Sequence, residues 1–362
     1  MNADDSRGDA ATPPLRIEDF SVRASGSDGV RLDERYRIIG LLGTGATSEV
    51  FLAEDETTGA PVVVKCLALK AARDAQVRQR FVFGARATMA VQHRTVARVF
   101  SIEEPERRLP YVVMEALLGE SLSDYLDRVG AMEEADALAL SREIAAGLVA
   151  AHEAGIIHRD VKPGNLFLLR QPAEAKVKLI DFGFSKDTRD ADPDAAPIST
   201  NVVIGTAQYM APEQILTDPV DARTDVYGFG AVMFRLLTGH LPFDLEVGVD
   251  LFSHQVFSPM PPPSWLVESL DADFEQVVLR CVRKHPENRY PSMQAVLDDL
   301  DRIANAQDIM PLPLLRDPDV YNPKNLSGRA AAETLAARFG AEPPPPATTR
   351  FTPESLRWRR GT

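Results

Sequence analysis

The sequence contains very little cysteine and no long apolar segment. Only two of its 362 residues are cysteines, Cys66 and Cys281, so a disulfide framework or a cysteine-based metal site is excluded. No apolar run approaches the roughly 20 residues that span a bilayer. The first residues also lack the basic-then-apolar order of a signal peptide. We therefore expect a cytoplasmic protein without membrane contact.

Positive charge is also scarce. The chain has 40 Lys and Arg against 53 Asp and Glu, a formal net charge of −13. This overall field argues against a general affinity for nucleic acid or anionic lipid. Its other proportions, 44% hydrophobic and 26% charged residues, are typical of a globular protein long enough for two domains or lobes.

Residue patterns divide the chain into four parts. Residues 1–34 are rich in Asp, Ser, Gly and Pro, which predicts a flexible leader. Residues 35–115 contain short β-branched runs separated by turn-forming residues, together with one predicted helix over Ala71–Gln92. Residues 116–308 show mainly helical spacing, and residues 309–362 form a Pro- and Ala-rich tail. The pattern predicts an α+β protein with a small β-rich lobe before a larger helical lobe.

The chemistry of the chain is concentrated in His158–Asn165, whose sequence is HRDVKPGN. Its proline and glycine favour a rigid loop over a helix. The Asp160 carboxylate could accept a proton from a hydroxyl, and the Lys162 ammonium could neutralise a phosphate. The Asn165 amide oxygen could bind a hard cation. Such a combination suits phosphoryl transfer, where positioning and charge neutralisation provide most of the catalysis.

A glycine-rich turn, Gly43–Val50, lies between two predicted strands. Glycines there would let backbone N–H groups approach phosphate oxygens, although such turns are also common between ordinary strands. No helix follows the turn and no Gly-Lys-Ser/Thr ending is present, which excludes a dinucleotide fold and a P-loop. Lys65 ends the apolar run Val62–Val64, where either an anionic partner or a surface location is expected.

A second carboxylate motif, Asp181-Phe182-Gly183, directly follows the predicted strand Val177–Ile180. It could be an ordinary turn. However, it lies sixteen residues after Asn165, so a short hairpin would bring Asn165 and Asp181 to the same cation. A polar stretch then leads to Ala211-Pro212-Glu213, and long polar loops of this kind are often functional.

In this order, the glycine-rich loop, the strand lysine, His-Arg-Asp-x-Lys-x-x-Asn, Asp-Phe-Gly and Ala-Pro-Glu resemble the eukaryotic-type (Hanks-type) Ser/Thr protein kinase family, in its bacterial branch. The resemblance extends from about Tyr36 to Ala306. It implies the bilobal protein-kinase fold, with an N-lobe over residues 35–115 and a C-lobe over 116–308. It also implies ATP- and Mg²⁺-dependent transfer of the γ-phosphate to Ser/Thr hydroxyls of protein substrates.

The resemblance assigns roles to individual positions. Asp160 would be the base and orienter of the acceptor hydroxyl, Lys162 would steady the γ-phosphate, and Lys65 would contact the α- and β-phosphates. Asn165 and Asp181 would hold Mg²⁺. The residues implied to surround ATP are Leu42, Gly43, Thr44, Gly45, Val50, Val63, Lys65, Met114, Glu115, Leu117 and Phe167.

Four further residues would support this site. Glu213 and Arg289 match an ion pair that braces the large lobe, and Asp225 matches a helix residue that hydrogen-bonds the catalytic-loop backbone. Arg159, beside the catalytic aspartate, suggests control by phosphorylation of the activation loop. Thr200 is the first phosphosite candidate and Ser199 the second; an unmodified polar loop is the alternative.

The sequence departs from the family at two positions. Ser48 replaces the third glycine of the phosphate loop, which a small residue should tolerate. Gly84 occupies the expected position of the helix glutamate that pairs with Lys65, and no glutamate lies between Glu56 and Glu103. Lys65 would then pair with Asp181 or with ATP itself. Two hypotheses stay open: an active Ser/Thr kinase, and a pseudokinase or nucleotide-binding scaffold. A regulatory partner could act through either tail.

Overall fold

The computed structural model of the chain describes residues 16–17, 20, 23, 27, 29–45, 47–104, 109–170, 175–182, 186–187, 207–243 and 249–309. These residues form a small β-rich lobe followed by a larger helical lobe. The predicted α+β bilobal fold is therefore confirmed.

An antiparallel sheet dominates the small lobe. Among the described residues its strands are β1 (Arg31–Leu32), β2 (Tyr36–Thr44), β3 (Ser48–Asp55), β4 (Ala60–Leu67), β5 (Val99–Glu103) and β6 (Tyr111–Glu115), in the spatial order β1-β2-β3-β4-β6-β5. Helix α1 (Ala75–Ala90) connects β4 to β5, and it begins where the Asp74 carboxylate accepts hydrogen bonds from two backbone N–H groups. Alternating burial along β2 reflects a strand with one face turned to a core, whereas β3 is buried on both faces at Phe51–Ala53.

The segment before Tyr36 belongs partly to this sheet. Strand β1 pairs with β2, and the backbone of Arg23 exchanges two hydrogen bonds of 2.9 Å with Leu41. Arg31 and Leu32, which belong to the leader that the sequence predicts over residues 1–34, thus pair with the edge of β2. Backbone pairing of this kind has no side-chain signature in so short a segment.

Helices build the large lobe. Those in the described ranges are α2 (Leu122–Val129), α3 (Glu134–Glu153), α4 (Pro212–Leu216), α5 (Ala222–Thr238), α6 (Val249–Phe257), α7 (Ala272–Cys281) and α8 (Met293–Ala304). Helix α5 is buried along almost its whole length, because it is apolar on nearly all sides and the other helices pack around it. Within the described parts of the chain, none of the helices is both long and apolar enough to span a membrane.

Short strands position the loops between the lobes. A three-stranded sheet has the order β10 (Val177–Leu179), β9 (Leu166–Leu169), β7 (Gly119–Ser121). Strand β8 (Ile156–Ile157) pairs with β11 (Lys186–Asp187). Strands β8 and β9 flank the His158–Asn165 loop, and β10 leads directly to Asp181. The functional loops thus begin and end on paired strands.

Candidate active site

The backbone of the catalytic loop, His158–Asn165, is held by a buried carboxylate. Asp225, in the first turn of α5, accepts hydrogen bonds from the N–H groups of His158 (2.8 Å) and Arg159 (2.7 Å). Arg159 has φ +64°, a left-handed conformation that a non-glycine residue adopts only when its surroundings impose it. Burial disfavours the charge of Asp225, but hydrogen bonds from His152 and the loop backbone outweigh it and lower the pKa of this carboxyl.

Asp160 is a buried carboxylate in which one oxygen is hydrogen-bonded and the other has no hydrogen-bond partner among the described residues. Its Oδ2 accepts hydrogen bonds from Lys162 Nζ (2.8 Å) and Asn165 Nδ2 (2.9 Å). Its Oδ1 is buried and has no hydrogen-bond partner among the described residues. A buried oxygen without a partner is costly, so such an atom is often reserved for a ligand. Asp160 is therefore fixed in orientation with one oxygen available to a hydroxyl donor.

The hairpin of β9 and β10 brings the two candidate metal-binding loops together. In its register Leu179 lies opposite Leu166, and the Ile180 N–H donates to the Asn165 carbonyl at 3.1 Å. Phe182 is fully buried and its ring lies 4.5 Å from the ring of His158. Backbone and aromatic contacts thus join the catalytic loop to the loop that starts at Asp181.

The donor atoms in these loops suit magnesium. The amide nitrogen of Asn165 donates to the carboxylate and carbonyl of Asp160, which leaves its amide oxygen as a ligand atom. With the Asp181 carboxylate this gives two hard oxygen donors, and Mg²⁺ commonly takes one or two carboxylates together with phosphate oxygens. Among the described residues, no group of three or more His, Cys, Asp or Glu side chains that could hold a metal is present.

Lys65 pairs with Asp181 across the cleft between the lobes. Its Nζ lies 2.8 Å from Asp181 Oδ2, and the two side chains are 21% and 38% exposed. Gly84 lies buried in α1, and its carbonyl oxygen accepts a hydrogen bond from the Thr88 hydroxyl. Of the two partners that the sequence left open for Lys65, the structure therefore shows Asp181.

The glycine-rich turn between β2 and β3 has room for a ligand. The Gly45 N–H donates to the Ser48 carbonyl at 2.7 Å, which closes the turn. A Cβ atom at Gly43 would meet no atom within 4 Å. Such open space beside backbone N–H groups fits a phosphate group. The remaining predicted member of the turn is Thr44, at the end of β2.

Strand register places the predicted adenine pocket beside this turn. Val50 lies opposite Lys65, and Val63 lies opposite Met114. Of the other expected pocket residues, Leu42 on β2 is exposed, and Leu117 between β6 and β7 and Phe167 on β9 are half-buried.

The hinge between the lobes, residues 115–117 from the end of β6, restricts how adenine would be held. The N–H of Glu115 donates to the Arg98 carbonyl at 2.9 Å. Only the carbonyl oxygen of Glu115 is therefore left for a hydrogen bond to an adenine edge. The residues of the glycine-rich turn, the hinge and the two metal-binding loops together fit a magnesium nucleotide.

A buried ion pair braces the large lobe away from the cleft. Both Arg289 Nη atoms lie 2.7 Å from the Glu213 carboxylate, and the two side chains are 0% and 3% exposed. The Thr224 hydroxyl donates to the same carboxylate, and Arg289 also donates to three backbone carbonyls. All charged atoms are thus satisfied, as a buried pair requires.

The surroundings of Arg159 leave part of its cation unsatisfied. Burial lowers the pKa of its guanidinium, and its Nε is buried without a hydrogen-bond partner among the described residues. The Gln214 side chain holds the Arg159 carbonyl at 2.8 Å. The two phosphosite candidates, Thr200 and Ser199, lie outside the described residues.

Sequence reasoning missed three residues that organise the site: His152, Lys178 and Gln214. His152 Nε2 lies 2.7 Å from Asp225 Oδ2, and Lys178 Nζ lies 2.6 Å from Glu115 Oε1. A signal for His152 was its place in the last turn of α3, just before the catalytic loop. Lys178 could have been noticed as a charged residue between the buried Val177 and Leu179.

The fold and this site define a protein kinase domain. The protein kinase domain family matches residues 36–300, and the chain belongs to that family. The catalytic loop, the Lys65–Asp181 pair and the glycine-rich turn all lie within the matched range.

Curated relatives in bacteria are similar over most of this chain. The Ser/Thr-protein kinase PknB of Mycobacterium tuberculosis is 38% identical over 279 residues, which cover 76% of this chain and 44% of PknB. The Ser/Thr-protein kinase Pkn1 of Myxococcus xanthus is 37% identical over 284 residues, which cover 78% of this chain and 40% of Pkn1. The chain thus spans less than half the length of these relatives.

A solved structure supports the fold. The kinase domain of M. tuberculosis PknI has a TM-score of 0.61 and 25% sequence identity, with 78% of this chain and 100% of that chain covered. A double mutant of the same kinase domain has a TM-score of 0.61 at 24% identity and covers 77% of this chain and 99% of its own. The predicted membership of the bacterial Ser/Thr kinase branch is therefore confirmed at the level of family and fold.

Proposed function

We propose that the chain is an ATP- and Mg²⁺-dependent kinase that phosphorylates Ser and Thr hydroxyls of protein substrates. The observation that carries the proposal is Asp160: one carboxylate oxygen is fixed by Lys162 and Asn165, and the other is buried and open. This is the arrangement needed to orient a hydroxyl and accept its proton.

The remaining residues of the site have complementary roles in this proposal. Bound MgATP would supply the phosphoryl group. Asn165 and Asp181 hold the metal with their oxygens, and Lys162 places a positive charge beside the position of transfer. Lys65 would contact the ATP phosphates, with its present partner Asp181 either released or shared. The glycine-rich turn would cover the phosphates, with the open space at Gly43 leaving room for them.

The proposal can be tested with the variant Asp160→Asn, which preserves shape but removes the proton acceptor. Loss of a general base typically lowers the rate by about 10²–10⁴-fold. Single-turnover transfer from labelled ATP to the chain itself and to a pool of Ser/Thr peptides should fall accordingly. The exposed Asp136→Asn on α3 is the matched control and should keep the wild-type rate. Equal phosphate incorporation by wild type and Asp160→Asn would reject the proposal.

The alternative function, a nucleotide-binding scaffold without transfer, is not supported. It arose from Gly84, which removes the expected partner of Lys65. However, Asp181 supplies a carboxylate 2.8 Å from Lys65, so the ammonium is not left uncompensated. The relatives with the matching domain are themselves named as Ser/Thr-protein kinases.

Regulation by phosphorylation of the activation loop is part of the proposal. Arg159 offers a buried guanidinium nitrogen, and a phosphate at Thr200 or Ser199 would provide a charge-assisted partner for it. Replacing Thr200 by Ala should lower activity more than replacing Ser199. We also propose protein partners at the tails, and a location in the cytoplasm, where ATP is available and cysteines stay reduced.

A further inference from the structure

A charged residue lies unexpectedly inside the strand that leads to the metal-binding loop. Lys178 is flanked on β10 by Val177 and Leu179, which are 0% and 1% exposed. Its Nζ lies 2.6 Å from Glu115 Oε1, and the two side chains are only 16% and 22% exposed. Because Glu115 belongs to the hinge, this pair connects the hinge to the strand that ends just before Asp181.

Glu115 is held by more than this one lysine. Its Oε1 also accepts a hydrogen bond of 2.7 Å from the Arg98 N–H, and its own N–H donates to the Arg98 carbonyl at 2.9 Å. Glu115 therefore contacts the segment 95–98 through both backbone and side chain. Three bonds converging on one residue leave little freedom for the hinge at this point.

The same segment is joined to β10 directly. The Ala97 N–H donates to the Leu179 carbonyl at 2.8 Å, and the Leu179 N–H donates to the Thr95 carbonyl at 2.8 Å. Gly147 of α3 allows this close packing, since a Cβ there would lie 2.5 Å from the Thr95 hydroxyl. We call residues 95–98, Glu115 and 177–179 the hinge junction.

Lys178 has two neighbours, Phe167 and Asp181, that are expected to contact the nucleotide or its metal. Lys178 lies opposite Phe167 in the β9–β10 register, and Phe167 is the expected floor of the adenine pocket. Asp181 follows three residues after Lys178. The Lys178 ammonium thus binds Glu115, the residue expected to meet the adenine edge, while the Lys178 backbone lies beside the strand of the expected pocket floor and just before the metal-binding loop.

We propose that Lys178 is a positioning residue that couples adenine binding at the hinge to the placement of Asp181 for magnesium. It acts through Glu115 and touches neither nucleotide nor metal. This inference rests on the proposed function, because it assumes that the site binds MgATP. A lysine that only stabilised the fold would not make adenine binding at the hinge depend on magnesium binding at Asp181.

The test measures how strongly Mg²⁺ improves ATP affinity. We expect Lys178→Met to weaken MgATP binding and raise KM for ATP by about tenfold, which corresponds to about 1.4 kcal/mol. Binding of ATP in EDTA should change much less, because Asp181 then has no metal to hold. The exposed Lys176→Met, two residues earlier, removes the same charge outside the junction and should behave as wild type.

A double-mutant cycle checks that the effect passes through Glu115. Glu115→Gln should resemble Lys178→Met, and the double variant should be no worse than either single one. The inference is overturned if Lys178→Met binds and turns over MgATP as wild type does. It is also overturned if Lys178→Met is less stable than the wild type but Mg²⁺ improves its affinity for ATP by the same factor as in the wild type.

The outcomes for the wild type separate this inference from the proposed function. A wild type that binds MgATP but transfers no phosphate would reject the proposed function alone. The factor by which Mg²⁺ improves ATP affinity would still measure the coupling between the hinge and Asp181. A wild type that does not bind MgATP would overturn both. A wild type that transfers phosphate, with Lys178→Met unaffected, would overturn only the inference.

Discussion

Two ion pairs differ in how firmly the protein holds them: one lies inside the large lobe and the other spans the cleft. In the large lobe, Glu213 and Arg289 form a fully buried, bidentate pair with further hydrogen bonds to every charged group. At the cleft, Lys65 and Asp181 form a single contact at partly exposed positions. Because every charged atom of the first pair is already hydrogen-bonded inside the protein, this pair serves the structure. The second can be exchanged for a ligand, so it suits a site whose charges must be rearranged when nucleotide binds.

This difference gives a physical meaning to Gly84. With a carboxylate at position 84, Lys65 would be held by the small lobe before nucleotide arrived. With glycine there, Lys65 is held across the cleft by a residue that is also a candidate metal ligand. In the proposed MgATP complex, Mg²⁺ would compete with Lys65 for the Asp181 carboxylate, and the ATP phosphates would compete with Asp181 for the Lys65 ammonium. Ligand binding would then organise this side of the cleft.

The largest effect that tests the comparison should come from the structural pair. Arg289→Met leaves the Glu213 carboxylate buried without its partner, which typically costs about 3–5 kcal/mol. Urea unfolding should show this loss. The matched control is Arg86→Met, which breaks the exposed Arg86–Glu104 pair and should change stability by less than about 1 kcal/mol. Similar losses in both variants would mean that burial does not distinguish the pairs.

The cleft pair should show the opposite behaviour. Lys65→Met should lower kcat/KM for ATP by about 10²-fold, because a preorganised charge is lost from the phosphate site. Its free energy of unfolding should fall by less than about 1 kcal/mol, because the pair is partly exposed. Lys70→Met, in the exposed segment after β4, is the control for charge removal. A large stability loss without a change in kinetics would reverse the roles assigned to the two pairs.

A smaller gain should follow from restoring the missing carboxylate. Gly84→Glu offers Lys65 a partner in the small lobe, and we expect kcat to rise by up to about tenfold, or about 1.4 kcal/mol of barrier. Gly84→Gln is the control, since both replacements gain about 1 kcal/mol of helix propensity over glycine. Steady-state kinetics will distinguish them. An equal gain in both would attribute the effect to the helix and not to the charge pair.

The smallest effect should be a pH dependence of stability from the catalytic loop. Burial lowers the pKa of His158, so the folded state disfavours its protonated form. The unfolded chain then binds more protons between the two pKa values, and stability falls as pH decreases below about 6.5. Unfolding midpoints between pH 7.5 and 5.5 measure the slope.

A variant isolates the contribution of His158 to this slope. His158→Phe should flatten the dependence of stability on pH. The lost hydrogen bond to the Asp160 N–H lowers stability equally at every pH, so it does not change this slope. Asp225, whose pKa is lowered, loses its contribution only in more acidic solution, below its ordinary value of about 3.9. An unchanged slope in His158→Phe would show that other groups cause the pH dependence.

Much of the fold and of the candidate site was available from the sequence, because the motifs carry both chemistry and order. The hairpin between Asn165 and Asp181 followed from their spacing and a strand pattern. For Lys65 the sequence left two partners open, Asp181 and ATP, because the choice depends on how far the lobes lie apart, which no local pattern encodes. Lys178 was missed for a related reason: a lone lysine on a strand does not show which distant carboxylate it meets.

The segment that pairs with β2 also has a practical consequence. A shortened protein that began at Tyr36, where the family match begins, would lose β1 and the Arg23–Leu41 pairing. The N–H and C=O groups along β2 would then form an open sheet edge, and such edges recruit strands from other molecules. We expect this shortened form to self-associate, and a boundary placed before Arg23 to keep the protein monodisperse.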